Sequence, residues 1–91
     1  MKVIKGFKLR PLGDEFILVG ESIELVNFNK MLTLNETAAY LWRKANEDTE
    51  LDFDAQQLAD WLCDEYEVSQ EQALEDSRKT LKQWKEAGIV Q

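Results

Sequence analysis

The chain has 91 residues, one Cys and no His, and its formal net charge is −7 because 18 Asp or Glu outnumber 11 Lys or Arg. The lone Cys63 excludes an internal disulfide, and the missing His removes the commonest metal ligand and the usual general base near neutral pH. Duplex nucleic acid binds mainly through Lys and Arg, so this acidic chain is a poor match for it. No apolar run approaches the ~20 residues that cross a bilayer, and the N-terminus lacks the pattern of a secretory signal, so we expect one cytoplasmic domain over residues 1–91 without membrane contact.

The first third of the chain alternates apolar and polar residues, which predicts strands. Residues 7–11 and 15–19 form a predicted hairpin around Gly13, and Pro11 places the first strand at a sheet edge or ends it there. A second extended region covers residues 22–28, and a short strand over residues 31–34 follows it. We therefore expect a small antiparallel sheet of three to four strands.

Helical spacing dominates from Asn35 onward. The first helix is capped either by Asn35 directly or by Thr33 with Glu36 in a capping box, two alternatives that the sequence leaves open. The second helix starts after Asp54 and ends near Tyr66. The predicted buried stripes are Leu34, Ala38, Leu41, Trp42 and Ala45 in the first helix, and Leu58, Ala59, Leu62 and Tyr66 in the second.

The third helix has the clearest boundaries, with Ser69 and Gln72 as a capping box at its start and Gly88 as a left-handed stop. Its predicted buried stripe is Leu74, Ser77, Leu81 and Trp84. Strands followed by a run of helices predict one α+β domain.

The sequence gives no support for catalysis or for a metal site. The acidic run 48–54 resembles the start of a calcium loop, but Phe53 stands where the loop needs Gly and Ala59 where it needs a bidentate Glu. Cys63 has no His or second Cys to activate it, so packing is its expected role. We therefore expect a non-catalytic chain with no cofactor.

Two features favour binding instead. A small sheet has an edge with unpaired backbone groups, where an extended peptide can add as a further strand. The end of the third helix carries Arg78, Lys79, Lys82 and Lys85, which either contact a partner or only complement the helix dipole.

Several segments match one known family in order and spacing. They are Gly6-Phe7-Lys8-Leu9-Arg10, the run from Phe28 through Leu34-Asn35-Glu36-Thr37-Ala38-Ala39-Tyr40-Leu41-Trp42, Leu58-Ala59, Leu62, Asp64-Glu65-Tyr66-Glu67-Val68, Ala73, Asp76, Leu81 and Ala87-Gly88-Ile89-Val90. Together they resemble the PqqD family over nearly the whole chain. The insertion at residues 21–29 is similar to a looser subgroup found beside other peptide-modifying systems, so the resemblance does not assign pyrroloquinoline quinone as the product.

The resemblance implies a winged-helix arrangement and a role in recognising ribosomally made, post-translationally modified peptides. In that family the leader of the precursor peptide adds as a strand beside the one that precedes the first helix, and the domain presents it to a modifying enzyme, commonly a radical S-adenosylmethionine protein. Carried onto this chain, the peptide would pair along Lys30, Met31, Leu32, Thr33 and Leu34. The groove wall on the third helix is projected from helix geometry and the family's binding mode as Leu74, Arg78, Leu81 and Lys82.

Some alternatives stay open at this point. Leu74 and Leu81 are either groove residues or plain core, and the chain is either a monomer or a weak dimer. A winged-helix transcription regulator and a general interaction adaptor are the rival functions, since a shared fold does not decide function. Against the regulator, the second helix carries Asp60, Asp64 and Glu65 but no Lys or Arg.

Overall fold

A computed structural model describes residues 1–20 and 32–91. The elements in chain order are β1 (Phe7–Leu12), β2 (Glu15–Gly20), β3 (Leu32–Leu34), α1 (Glu36–Asn46), α2 (Ala55–Glu65) and α3 (Gln70–Ala87). The strands form an antiparallel sheet in the order β1-β2-β3, and the three helices follow it. This confirms the predicted α+β class. The extended region predicted at residues 22–28 lies outside the described residues.

The β1–β2 hairpin forms as predicted. Leu12 pairs with Glu15, so the loop is only Gly13 and Asp14, and Gly13 takes a φ of 62°. Positive φ at the first loop residue alone is the arrangement of a type II′ turn, whose twist suits a hairpin. Pro11 lies in β1, an outer strand of the sheet, where its missing N–H costs no ladder hydrogen bond.

Each helix starts at a side-chain cap. The Ala38 N–H donates to Asn35 Oδ1 at 2.8 Å, the Gln57 N–H donates to Asp54 Oδ1 at 3.0 Å, and the Gln72 N–H donates to the Ser69 hydroxyl at 3.2 Å. α1 is thus capped by Asn35 and not by Thr33, which decides the alternative that the sequence left open. Gly88 ends α3 with φ 75° and ψ 26°, the left-handed conformation predicted for it.

One hydrophobic core joins the sheet to the helices. Trp84 is fully buried, and its ring meets Phe53 edge-on with centroids 6.3 Å apart. The first and last residues of the chain close this core: Val3 pairs with Val90, Lys2 and Gln91 exchange two backbone hydrogen bonds of 2.8 Å, and the Ile4 N–H donates to the Ile89 carbonyl at 3.0 Å. Ile89 and Val90 thus fold back onto the core, where both are buried.

The predicted core stripes of all three helices need correction. In α2, Leu58, Ala59 and Leu62 are buried as predicted, but Tyr66 is only half-buried. In α1, Ala39 is fully buried while Ala38 is only half-buried. In α3 the buried residues are Ala73, Ser77 and Trp84, whereas Leu74 and Leu81 pack against the core from its edge and stay half-buried. The buried line of α3 thus combines two small residues, Ala73 and Ser77, with the large ring of Trp84.

Within residues 1–20 and 32–91, no helix combines the length and the apolar character that a membrane crossing needs. The same residues contain no group of three or more Cys, Asp or Glu side chains arranged to hold a metal ion.

Candidate functional site

β3 has a neighbouring strand on one side only in the described part of the chain. Its three residues pair with β2, in the register Leu32 with Leu18, Thr33 with Ile17 and Leu34 with Phe16. The segment that precedes β1 does not occupy the other side, because Lys2 and Ile4 hydrogen-bond to residues 89 and 91 instead. Among the strands that the structure describes, β3 is thus an outer strand of the sheet.

The register shows which backbone groups of β3 face outward. In a two-residue hairpin the closing pair, here Leu12 and Glu15, exchanges hydrogen bonds across the ladder. Backbone groups alternate in direction along a strand, so Ile17 bonds to β1, whereas Phe16 and Leu18 bond to β3. Thr33, which stands opposite Ile17, therefore points its N–H and C=O away from β2.

A cleft of about 320 Å³ lies beside this strand. It is lined by Glu15, Thr33, Leu34, Asn35, Ala38, Thr80 and Gln83. A second cleft of about 300 Å³ shares Asn35, Ala38, Thr80 and Gln83 with the first and adds Thr37, Asp76 and Lys79. Because they share four lining residues, the two clefts form one depression, which we call the β3–α3 trough.

The local structure explains why these residues meet. Asn35 caps α1 directly after β3, so the first turn of α1 lies at the end of the strand, and half-buried Ala38 leaves space there. On α3, residues 76, 79, 80 and 83 recur at intervals of three and four, which places them on one flank of the helix. The trough therefore runs from the end of the sheet to the space between α1 and α3.

The trough offers free hydrogen-bonding groups and charges of both signs. Within residues 1–20 and 32–91, the side chains of Thr33, Thr80 and Gln83 make no hydrogen bond. Lys79 is ion-paired with Glu75 at 3.5 Å, and Asp76 accepts a hydrogen bond from Gln72 Nε2 at 2.9 Å. Such groups suit a polypeptide backbone and its polar side chains.

The predicted strand residues fall in two groups. Thr33 and Leu34 line the trough, and half-buried Leu32 packs against the core from β3. Lys30 and Met31 lie outside the described residues. The structure thus brings the described part of the predicted strand to the edge of the sheet.

The four residues predicted on α3 do not line the trough. Successive residues of a helix are rotated by about 100° around its axis. This rotation places Thr80 and Gln83 on one side of the buried line formed by Ser77 and Trp84. The predicted residues lie on the opposite side of that line; they are Leu74, Arg78, Leu81 and Lys82. None of these four residues lines either of the two clefts that form the trough. Peptide contact at these four positions stays a prediction.

The residues of α3 that do face the trough are not among those predicted from the sequence. Asp76, Lys79, Thr80 and Gln83 are a polar series at helical spacing beside the buried line, which is the signal that could have found them. That signal exists on both flanks of α3. Only the packing of α3 against α1 and the sheet shows which flank faces β3.

Two tyrosines stabilise the region where α1 meets the end of α2. The rings of Tyr40 and Tyr66 meet edge-on with centroids 5.7 Å apart, and the Tyr40 O–H donates to the Trp61 carbonyl at 3.3 Å. Burial raises the pKa of both phenols, and the charge of nearby Glu65 raises it further. Both phenols are thus held in the neutral form.

Fold and site together define a class: an α+β winged-helix-like domain with an outer strand beside a polar trough. The family model described as Coenzyme PQQ synthesis protein D (PqqD) matches residues 16–90, so the chain belongs to the PqqD family. Recognition elements of this family are generally non-catalytic binding proteins.

A solved structure with the same fold is "TbiB1 in Complex with the TbiA(beta) Leader Peptide". It is 18% identical in sequence with a TM-score of 0.72, over 100% of this chain and 95% of that one. At this level of identity the likeness shows the fold. No curated protein matches the chain.

Proposed function

We propose that this protein recognises the leader of a ribosomally made precursor peptide and presents it to a modifying enzyme, such as a radical S-adenosylmethionine protein. The observation that carries the proposal is the outer strand β3, whose Thr33 backbone groups point away from β2 beside the β3–α3 trough. Family membership and the leader peptide in the TbiB1 complex support the same role.

Binding would follow the chemistry of strand addition. The leader takes an extended conformation beside β3 and exchanges main-chain hydrogen bonds with Thr33, as in other domains that bind peptides at a sheet edge. The side chains of Thr80 and Gln83 then contact the peptide from α3. Main-chain bonds supply affinity, and the trough supplies selectivity.

In this proposal the protein is not itself an enzyme, and it works in the cytoplasm, where ribosomal peptides are made. A winged-helix transcription regulator is not favoured. The net charge is −7, and α2 carries Asp60, Asp64 and Glu65 but no Lys or Arg to neutralise phosphates.

The experiment compares two substitutions at Thr33. Thr33→Pro removes the outward N–H and leaves the hydrogen bonds between β2 and β3 in place, whereas the matched control Thr33→Ala keeps the N–H and removes only the side chain. A displayed library of random 20-residue peptides is selected on the wild-type protein alone, and the affinity of each selected peptide is then measured on the wild type and on both variants.

We expect selected peptides to bind the proline variant roughly fivefold more weakly, since a net backbone hydrogen bond contributes about 1 kcal/mol. The alanine variant should stay within about threefold of wild type. In labelled protein, amide shifts should concentrate at residues 32–34, 80 and 83. Peptides that bind both variants equally, with shifts elsewhere, would refute strand addition.

A further inference from the structure

The trough does not end at the residues that would hold the paired strand. A further depression of about 180 Å³ is lined by Thr37, Leu62, Tyr66, Val68 and Asp76, and we call it the Tyr66 pocket. It shares Thr37 and Asp76 with the cleft between α1 and α3, so the two adjoin. A groove therefore leads from the edge of β3, past the first turn of α1, to this pocket.

The pocket differs in chemistry from the trough. Its wall is apolar, formed by Leu62 and Tyr66 at the end of α2 and by Val68 in the connection to α3, with Thr37 and Asp76 at the rim. Tyr66 and Val68 are only half-buried, so apolar surface there remains accessible. The edge-on contact of Tyr66 with Tyr40 and the cap of α3 at Ser69 hold this wall in position on both sides.

Its size selects the kind of occupant. A volume of about 180 Å³ is smaller than the roughly 300–1,000 Å³ of a site for a drug-sized ligand, but it has room for one large apolar side chain.

We propose that the Tyr66 pocket binds one apolar side chain, aliphatic or aromatic, of the same peptide that pairs with β3, a few residues beyond the paired segment. The inference rests on the proposed function and adds to it a second anchor point of defined chemistry. β3 runs towards α1, so the peptide reaches the pocket where it leaves the Leu34 end of the strand. With antiparallel addition, the arrangement of both existing strand pairs, the anchor residue lies N-terminal to the paired segment.

The test is a double-mutant cycle on a peptide selected as above. An alanine scan of that peptide should find one apolar position outside the paired segment where alanine weakens binding about ten- to a hundredfold, the range expected for losing a buried apolar side chain. Val68→Phe, which fills the pocket with the protein's own ring, should weaken the parent peptide to a similar degree. The alanine peptide should lose little more on this variant, because both changes remove the same contact.

Two further variants keep the test decisive. Val68→Ala cannot overpack the fold, and it should weaken the parent peptide while leaving the alanine peptide unchanged. Val19→Phe is the matched control, because Val19 is also half-buried but lines neither the trough nor the pocket. It should bind both peptides as wild type does.

The outcomes separate the two proposals. If Thr33→Pro still weakens binding, but the effects of Val68→Phe and of the peptide substitution simply add, the pocket is not an anchor and this inference is overturned while strand addition stands. An alanine scan with no apolar position outside the paired segment has the same meaning. If Thr33→Pro leaves binding unchanged, both proposals are overturned.

Discussion

Ser77 lies fully buried on α3, and its hydroxyl oxygen has no hydrogen-bond partner in the described part of the chain. The same is true of the indole nitrogens of Trp42 and Trp84. A buried polar atom without a partner loses its hydration and gains nothing in return. Ser77 therefore contributes to the core through its small size, and its hydroxyl contributes no hydrogen bond there among the described residues.

We predict that Ser77→Ala stabilises the protein by about 1 kcal/mol, since it removes an unpaired hydroxyl and adds the best helix former. The matched control on the same helix is Ser69→Ala, which removes a cap and should destabilise by about 1 kcal/mol. Urea unfolding of both variants measures the difference. A loss of stability in Ser77→Ala would show that the hydroxyl has a partner in solution.

The raised pKa values of Tyr40 and Tyr66 predict how the stability of the protein depends on pH. Their pKa values are raised in the folded protein by burial first and by nearby Glu65 or Glu36, and in Tyr66 a hydrogen bond with Thr37 opposes the shift. A tyrosine whose pKa is higher in the folded state than in the unfolded state stabilises the protein fully at pH values below its unfolded pKa, which is near 10. This stabilisation is lost as the pH rises through the folded pKa.

The expected result is an alkaline loss of stability that Tyr40→Phe reduces, because phenylalanine cannot ionise. The chain has only two Tyr, so tyrosinate absorbance in the folded protein should rise at higher pH than in the urea-unfolded chain. Equal midpoints in the two states would contradict the prediction.

The junction of β3 and α1 matters most among the elements. Asn35 provides the cap, which leaves Thr33 as a strand residue whose backbone faces outward. Had Thr33 capped the helix, Thr33 and Leu34 would both belong to the start of α1 and β3 would be two residues shorter. The choice of cap thus decides whether the edge of β3 is available.

We predict that Asn35→Ala lowers the free energy of unfolding by about 1 kcal/mol, the usual cost of losing an N-cap. Thr33→Ala, the matched control two residues earlier, should change it by no more than about 0.5 kcal/mol, since exposed sites far from special features have small effects. Thermal unfolding of both variants decides the matter, and the reverse order of effects would assign the cap to Thr33.

The whole molecule depends on residues at both ends of the sequence. Val3 is 2% exposed and Ile89 is fully buried, and both belong to the core that surrounds Trp84. The bridge between Val3 and Val90 closes this core, and it also keeps the first residues away from β3. The same contacts therefore contribute to stability and hold residues 2–4 away from the outer edge of β3.

The hairpin, the starts of α2 and α3 and the stop at Gly88 follow from the sequence alone, because caps and turns are local interactions within a few residues. The start of α1 does not, since Asn35 and Thr33 were both possible caps. The sequence also determined the family, through the order of those signals. The flank of α3 that faces β3 is known only from the packing of the helix. The pair Thr80 and Gln83 adjoins the buried line on one side, and the pair Leu74 and Leu81 adjoins it on the other, so the sequence favours neither flank. That choice depends on how helices pack on the sheet, a long-range property that periodicity along one helix does not contain.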